Sequence, residues 1–291
     1  YEEQLIVRSG NDDKFVRSMQ AIAKKNPKRV VIAEADQIDV LKAAQYVHDE
    51  NIATPILLGD LEVILSLKEE IEFDADIEII DPSSDNERTK RHEFAELLMQ
   101  TNKRKGLTKY HAKSIMIQRN YFASMMVRTG AADAMISGYS RAFPMVLRPV
   151  FEVIGTAEGV QKAATMNVML TSRGPLFLAD TAINVDPTAE ELAEIALMTA
   201  NAVKDLGYKP TIAMLSHSNF GSSKKAQAVK VSQAVQMMHK YYPEIDIDGE
   251  VQSDFALNPE MTANDFPFSK LTGKKVNTLI FPNLDAANIT Y

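Results

Sequence analysis

The sequence predicts an α/β protein that folds into two three-layer α/β/α domains, with mainly parallel sheets and a cleft between the domains. Short apolar runs, each ended by turn residues, are typical of buried parallel strands. They alternate with amphipathic stretches, and this alternation predicts parallel sheets with right-handed crossovers. The length of 291 residues suits one large or two ordinary α/β domains. We place the domains at 1–147, including an N-terminal linker helix, and at 148–291.

The first predicted domain alternates strands and helices from its beginning. A helix near Asp12–Lys25 precedes a buried strand over Lys28–Glu34, and Val40–Glu50 has apolar residues at helical spacing. Further strands are predicted at 54–59, 77–82 and 132–138, and further helices from 60, over 86–103 and over 109–128.

The second series of strands and helices is predicted to start near Arg148. Its clearest element is a helix over Thr188–Leu206, because Thr188 at the N-cap and Glu191 three residues later form a capping box. Strands are predicted at 163–170, 175–179, 212–215, 247–251 and 276–281, and a helix at 224–242. The sequence contains no internal repeat or low-complexity run, so we expect the two halves to pack closely.

The composition excludes several classes of protein. A charged fraction of 24% and a hydrophobic fraction of 45% are typical of globular chains, and a net charge of −7 argues against a nucleic-acid or anionic-membrane partner. The chain has no cysteine, which excludes disulfides, thiolate metal sites and a cysteine nucleophile and fits a cytoplasmic location. No run approaches the ~18–20 apolar residues of a membrane span. The chain starts at Tyr1 without an initiator methionine, which we interpret as a fragment or a processed form.

The strongest functional signal is a buried strand that changes abruptly into polar residues. Ile212–Leu215 is apolar, and Ser216 to Ser223 follow it with hydroxyls, an imidazole, an amide and a glycine. In open α/β sheets, ligands collect beyond the carboxyl ends of strands. Ser216, Ser218 and Asn219 supply donors suited to phosphate or carbonyl oxygens. The alternative interpretation is a polar loop whose serine caps the next helix.

Two arginines follow the strand that is predicted to end at Ser137 and Gly138. Arg141 and Arg148 carry guanidinium groups, which bind phosphate or carboxylate in a bidentate manner. Exposed surface ion pairs are the alternative for both. That alternative is less favoured for Arg148, because its neighbours form a largely apolar run.

Two more predicted strand ends carry acidic or amide side chains. Asp180 and Asn184 are candidates to orient a substrate, with local turn formation as the alternative. Asp254 follows the strand at 247–251, and its alternative role is to cap a short helix. His217 is the only one of five histidines in a candidate site loop. The sequence shows no spacing typical of a metal site, and no Gly-x-Gly-x-x-Gly or Walker loop.

Several of these motifs occur together and in one order. They are Ala132–Gly138, Leu147–Pro149, Ala179–Asn184, Pro187–Glu194, Gln252–Asp254 and Asn277–Ile289. In this set the chain resembles the phosphate acetyltransferase (phosphotransacetylase) family. More narrowly, Ser216–Ser222 and Asn26–Val31 are similar to the version found at the carboxyl end of large bacterial NADP-dependent malic enzymes.

The resemblance implies a phosphotransacetylase or isocitrate-dehydrogenase-like fold that binds CoA or acetyl-CoA in the interdomain cleft. It also implies a homodimer through the second domain and a higher oligomer in a full-length malic enzyme. In active family members a base deprotonates the CoA thiol, the thiolate attacks acetyl phosphate, and arginines hold the phosphate. Arg148 matches one of those arginines. No cofactor is implied in this domain, since NADP and a divalent metal belong to the preceding malic-enzyme domain.

Three departures from the family pattern bear on catalysis. Asn102 stands where active members carry another arginine, and the acidic turn Glu34–Gln37 lacks the usual glycine. The resemblance also implies a further segment beyond Tyr291, with a Ser-Arg pair and an Asp. We therefore assign no catalytic residue within 1–291.

The sequence thus predicts a transacetylase-like region of a malic enzyme that binds acetyl-CoA or CoA as a regulatory and oligomerisation module. The alternative is an active phosphate acetyltransferase that also binds acetyl phosphate or phosphate. A decarboxylating dehydrogenase in its own right has no dinucleotide loop or metal carboxylate set to support it. The residues predicted to bind substrate or effector are Ser137, Gly138, Arg148, Asp180, Asn184, Ser216, Ser218, Asn219 and Asp254.

Overall fold

The computed structural model describes residues 11–104 and 106–291, and contacts within it divide the chain into two units. The first unit is Gln20–Gly155, and the second comprises Thr156–Tyr291 together with residues 11–19. The division lies after the predicted position at 147/148, because a helix over Phe143–Val153 runs through that position. The beginning of the N-terminal helix groups with the second unit, where Phe15 packs on Tyr208 with ring centroids 5.9 Å apart.

The first unit is built on a four-stranded sheet with the order β3-β2-β1-β4. All three strand pairs are parallel, as predicted. The strands are β1 (Lys28–Ile32), β2 (Ala53–Leu58), β3 (Ile79–Ile80) and β4 (Ala134–Ile136). The helices are the part of α1 (Asn11–Lys25) from Gln20 onward, α2 (Ile38–Asp49), α3 (Leu61–Glu70), α4 (Arg88–Thr101), α5 (Lys109–Ile115), α6 (Arg119–Arg128) and α7 (Phe143–Val153), with a 3-10 turn at Asp85–Glu87.

Helices cover both faces of this sheet. Successive residues of a strand point to opposite faces. Val31 of β1 therefore joins the cluster formed with α4, α5 and α6, whereas the next residue, Ile32, joins the cluster formed with α2 and α3. The first unit thus has the predicted three layers. The predicted helix at 109–128 is two helices, and the fully buried Met116 lies at the break between them.

The second unit is built on a five-stranded sheet with the order β5-β6-β9-β7-β8. Only the hairpin of β5 and β6 is antiparallel, and the remaining pairs of this sheet are parallel. The strands are β5 (Met166–Thr171), β6 (Gly174–Ala179), β7 (Thr211–Leu215), β8 (Asp246–Val251) and β9 (Thr278–Ile280). The helices are α8 (Ala189–Asp205), α9 (Ala226–Tyr241), α10 (Ser253–Leu257), α11 (Pro259–Asp265) and α12 (Leu284–Thr290).

This second sheet also has a core on each face. Met214 of β7 packs in the cluster with α8 and α9, while Leu215 packs with residues of α10 and α12. The predicted capping box begins α8: the Thr188 hydroxyl accepts from the Glu191 N–H at 3.2 Å, and the Glu191 carboxylate accepts from the Thr188 N–H at 2.9 Å. Among the described helices, none is both long and apolar enough to cross a bilayer.

Candidate functional site

In the first unit, a buried carboxylate organises the loop that follows β4. Glu34 lies just beyond the end of β1 and is 4% exposed. Its Oε1 accepts from the N–H of Gly138 at 2.6 Å and of Tyr139 at 3.1 Å, and its Oε2 accepts from the N–H of Ser140 at 2.7 Å. The Ser140 hydroxyl also donates to Oε2. The loop after β4 is therefore wrapped around one side chain.

These hydrogen bonds decide the ionisation of Glu34. Burial raises the pKa of this carboxyl, but donation from the Ser140 hydroxyl and from the N–H groups of Gly138 and Ser140 outweighs it. The net effect lowers the pKa of Glu34 from 4.5 to about 2. Glu34 is consequently ionised at neutral pH and anchors the loop rather than supplying a proton.

Ser137 and Gly138, both predicted to bind a ligand, use their polar groups inside this loop. The Ser137 hydroxyl lies 2.8 Å from Oδ1 of Asn120 and 3.2 Å from Oε1 of Glu34. Asn120 in turn donates to the main-chain oxygen of Met145 at 3.4 Å, which ties the loop to α7. Sequence reasoning missed the roles of Glu34 and Asn120. An acidic residue directly after a buried strand was the only signal for Glu34.

Arg148 lies on α7, and its side chain is 72% exposed. The apolar run around it is the buried face of that helix, formed by Pro149 and Val153. Arg148 lies outside this buried face, so it forms the exposed ion pair that the sequence analysis considered the less favoured alternative. Its Nε donates to Oε1 of Glu152, one turn later, at 2.7 Å.

Glu152 connects Arg148 to the interior of the unit. Its Oε2 accepts from the buried Tyr121 hydroxyl at 2.5 Å. Burial, then the hydrogen bond to Glu152, raises the pKa of Tyr121 to about 12. Burial opposes ionisation of Glu152, but the hydrogen bonds from Tyr121 and Arg148 prevail and lower its pKa. The tyrosine therefore remains a donor and the glutamate an acceptor at neutral pH.

Asn102, which the resemblance aligned with a phosphate-binding arginine, is a packing residue. It is 7% exposed, and its amide nitrogen donates to the main-chain oxygens of Leu98 at 3.0 Å and Glu152 at 3.4 Å. Asn102 and Arg148 therefore both contact Glu152, Asn102 at its main-chain oxygen and Arg148 at its carboxylate. Arg141 is exposed and lies between the Glu34-anchored loop and α7.

In the second unit, Glu250 has the place that Glu34 has in the first. It lies near the end of β8 and is 1% exposed. Its Oε1 accepts from the Gly221 N–H at 2.6 Å and from the Ser218 hydroxyl at 3.0 Å. Its main-chain oxygen accepts from the Phe220 N–H at 2.8 Å. The loop after β7 is therefore folded onto the end of β8.

Ser218 and Asn219 lie in this loop, and both form hydrogen bonds to other groups of the protein. The buried Ser218 hydroxyl also accepts from the Ser223 N–H at 2.9 Å. Asn219 and Gln252 exchange two hydrogen bonds, of 2.6 Å and 2.7 Å. Asp254, the residue predicted to bind a ligand after β8, is exposed in the first turn of α10. It accepts no hydrogen bond from the described residues. The N-cap of α10 is Gln252, so the capping alternative for Asp254 is wrong.

Asp180 anchors a third loop, beyond the end of β6. Its Oδ1 accepts from the Thr165 N–H at 3.0 Å and hydroxyl at 2.5 Å. Its Oδ2 accepts from the main-chain N–H of Asn184 at 2.7 Å and from its side-chain amide at 2.6 Å. Burial raises the pKa of Asp180, but these bonds outweigh burial and lower it. Both predicted residues therefore take part in local turn structure.

A cavity of about 600 Å³ opens beside the β7 loop in the second unit. Apolar side chains such as Leu178 and Leu279 form most of its wall, and Ser216, His217 and Asn283 contribute polar groups. His217 Nε2 lies 3.2 Å from the Ser223 hydroxyl. Predicted residue Ser216 thus lines a concave surface at strand ends. In residues 11–104 and 106–291, no cluster of three or more histidine or acidic side chains is suited to hold a metal.

Comparison with known proteins gives the family. Residues 14–291 match the family described as phosphate acetyl/butaryl transferase. The chain belongs to this family. A phosphate acetyltransferase from Thermoanaerobacterium thermosaccharolyticum is 37% identical over 284 residues, which are 95% of this chain and 85% of that protein. The family resemblance read from the motifs is confirmed.

Malic enzymes match the same region of the chain. The NADP-dependent malic enzyme of Escherichia coli is 38% identical over 282 residues, or 95% of this chain. The chain spans only 37% of the length of that relative.

Solved structures agree with the sequence comparison. A phosphotransacetylase from Streptococcus pyogenes superposes with a TM-score of 0.87 at 32% identity, over 96% of this chain and 84% of that one. The EutD phosphotransacetylase from Staphylococcus aureus gives a TM-score of 0.84 at 31% identity, over 96% and 85% of the two chains. The predicted fold class is therefore confirmed.

Proposed function

We propose that this chain binds CoA and acetyl-CoA as the transacetylase-like region of a malic-enzyme-type protein, where it acts as a regulatory and oligomerisation module. The observation that carries the proposal is the arrangement at Glu152. Arg148 offers an exposed guanidinium there, whereas Asn102, at the second phosphate position, is buried and committed to main-chain acceptors. One cation suits binding of an anionic ligand better than turnover of acetyl phosphate.

In this proposal, Arg148 binds a phosphate group of CoA and the strand-end loops shape the remaining contacts. Ser216 borders the cavity of the second unit, which supports its predicted role as a hydrogen-bond donor. The carboxylates of Asp180, Glu34 and Glu250 keep their loops in one conformation, which lowers the ordering cost of binding. The other predicted residues that contribute through these loops or beside them are Ser137, Gly138, Asn184, Ser218, Asn219 and Asp254.

Low transferase activity follows from the missing cation. Loss of one charge-assisted hydrogen bond to phosphate, about 1.5–3 kcal/mol in the transition state, slows transfer roughly 10–150-fold. Regulation additionally requires that acetyl-CoA bind the active and inactive states of the whole protein with different affinity. NADP and a divalent metal would belong to a malic-enzyme domain in a cytoplasmic protein, not to residues 1–291.

The second candidate function is a working phosphate acetyltransferase. The observation that favours it is 37% identity over 85% of the Thermoanaerobacterium enzyme. In that reaction the CoA thiol loses its proton to a base, its sulfur bonds to the acetyl carbon, and the bond from that carbon to the phosphate oxygen breaks. Acetyl-CoA and inorganic phosphate are the products.

Calorimetry and a turnover assay on the same preparation separate the two functions. We expect acetyl-CoA to bind the wild-type protein, Arg148→Ala to weaken binding roughly 10–150-fold, and turnover with acetyl phosphate and CoA to stay far below about 10 per second. Arg29→Ala is the control, because Arg29 is another exposed arginine of the first unit, paired with Asp133 at 2.9 Å. Turnover of about 10 per second or more favours the second function. Absence of binding refutes both.

The proposed regulation has to be tested on the full-length protein. If that protein has malate-oxidising activity, we expect acetyl-CoA to inhibit it and Arg148→Ala to raise the inhibiting concentration. Inhibition that is unchanged in Arg148→Ala would contradict the proposed effector site.

A further inference from the structure

A tyrosine, a carboxylate and an arginine form a hydrogen-bonded chain between α6 and α7. Tyr121 is 6% exposed, and its hydroxyl donates to Oε2 of Glu152 at 2.5 Å. The other oxygen of Glu152, Oε1, accepts from Nε of Arg148 at 2.7 Å. The chain therefore runs from a buried group to a side chain that is 72% exposed.

This arrangement holds Arg148 through Glu152 and Tyr121. Nε of the guanidinium donates to Glu152, and the Tyr121 hydroxyl interacts with the same guanidinium. The side chain is nevertheless 72% exposed, so its outer face is open to a ligand. An arginine binds phosphate best through a pair of parallel N–H donors, which an exposed guanidinium can provide. The carboxylate that holds Nε is itself fixed, because Tyr121 occupies its second oxygen.

We infer that Tyr121 and Glu152 are positioning residues, which fix the guanidinium of Arg148 so that its exposed N–H groups bind a phosphate group of the ligand. This inference rests on the proposed function. An ordinary surface pair one helical turn apart leaves both side chains mobile. Here the fixed carboxylate removes much of the ordering cost that a mobile arginine would pay on binding.

Glu152 also sets the strength of the anion site. Its negative charge lies next to the cation and opposes a phosphate group that approaches Arg148. Glutamine at position 152 keeps an oxygen for Nε of Arg148 and an amide that can donate to the Tyr121 oxygen, but it removes the charge. Position and charge therefore have opposite effects on affinity, and separate variants test them.

The test measures affinity for acetyl-CoA, and for inorganic phosphate, in wild type and variants by calorimetry. Tyr121→Phe keeps the charge and loosens Glu152, so we expect affinity to fall about 2–12-fold, the cost of ordering one long side chain. Glu152→Gln keeps the position and removes the charge, so we expect affinity to rise about 2–5-fold. Glu50→Gln is the matched control, since Glu50 forms an exposed ion pair of 2.7 Å with Lys24 in the same unit.

The opposite signs distinguish positioning from a merely structural role, which would lower affinity in both variants or leave both unchanged. Either of those patterns overturns the inference while the proposed function stands, provided that Arg148→Ala still weakens binding. If Arg148→Ala binds like wild type, the proposed phosphate role of Arg148 fails as well. If wild type binds neither probe, both proposals are refuted. Should Tyr121→Phe fail to fold, Glu152→Ala is compared with Glu152→Gln, since both remove the charge but only alanine removes the acceptor for Nε of Arg148. We expect lower affinity for Glu152→Ala than for Glu152→Gln, and equal affinity overturns the inference.

Discussion

Three buried carboxylates, Glu34, Asp180 and Glu250, lie at or just beyond the carboxyl ends of strands. A buried carboxylate is costly unless several hydrogen bonds satisfy it. Each of the three meets this need by accepting N–H and O–H donors from a nearby loop. Several of these donors belong to residues that the sequence predicts to bind a ligand. At the scale of single residues, the acids therefore form the scaffold of the candidate sites.

Glu34→Gln should lower the free energy of unfolding and flatten its dependence on pH. The pKa of Glu34 falls from 4.5 to about 2 in the folded state. A lowered folded pKa stabilises the protein above pH 4.5, and this stabilisation is lost as the pH falls toward 2. When fully present, this stabilisation contributes about 3 kcal/mol to the free energy of unfolding. Urea unfolding of the variant and of wild type, at intervals from pH 7 to pH 3, measures the difference.

The control for this experiment is Glu62→Gln, an exposed glutamate on α3. We expect it to retain the wild-type pH dependence. If Glu34→Gln lost stability equally at every pH, the ionised carboxylate would not be the stabilising group.

Asn102→Ala should destabilise the first unit by about 1–3 kcal/mol, because it removes the amide donor from the main-chain oxygen of Glu152, whereas the oxygen of Leu98 keeps its other donors. The amide nitrogen of Asn102 donates to the main-chain oxygens of Leu98 and Glu152. Thermal unfolding measures the loss, and Asn86→Ala, at an exposed asparagine of the same unit, should change stability by less than about 0.5 kcal/mol. Equal stability of the two variants would contradict a packing role for Asn102.

At the scale of elements, the contact between β7 and β8 sets the position of the Glu250 site. The pairing register of these strands shifts between Met214 and Leu215, opposite Gly249. A Cβ at Gly249 would lie 2.5 Å from the main-chain oxygen of Met214, and its φ is +143°. Only glycine therefore allows the two strands to approach so closely at this point.

Gly249→Ala should destabilise the second unit more than a matched glycine substitution does. Gly207 also has positive φ, +83°, but no atom lies within 4 Å of its added Cβ. Gly207→Ala should cost about 1–2 kcal/mol from backbone strain alone. Gly249→Ala should cost about 1–3 kcal/mol more, because the strands must also separate. Chemical denaturation of both variants tests the difference, and equal costs would contradict the close approach.

At the scale of the whole molecule, the chain has two sheets, each with a core on both faces. Each unit thus has the helices and buried residues of an α/β domain. Among its relatives, the chain covers 85% of a phosphate acetyltransferase and 37% of a malic enzyme. Oligomerisation is part of the proposed function and belongs to this scale.

We predict that the protein is a dimer in solution and that the second unit forms the interface. Multi-angle light scattering across a tenfold concentration range measures the mass, with 32.3 kDa expected for a single chain. A constant mass of twice that value supports the oligomerisation role. A monomer at all concentrations would contradict it without affecting the test of acetyl-CoA binding.

Local sequence patterns were enough to predict the type and order of most helices and strands, and the family. Parallel strands are apolar runs bounded by turn residues, and a capping box needs only residues three apart, such as Thr188 and Glu191. These signals involve residues close together in the sequence, so they can be recognised without knowledge of the fold. The break at Met116 has no such signal, since no proline or glycine marks it, although Met116 is completely buried.

Which polar groups form hydrogen bonds with one another depends on contacts between residues far apart in the sequence. Glu34 and Gly138 are 104 positions apart, Ser218 and Glu250 are 32 apart, and Tyr121 and Glu152 are 31 apart. Strand order brings the first two pairs together, and the packing of α6 on α7 brings the third. A buried charge must take its hydrogen bonds from whatever the fold places beside it. The same serines and glycines that predict a ligand site in the sequence therefore serve first to satisfy these carboxylates.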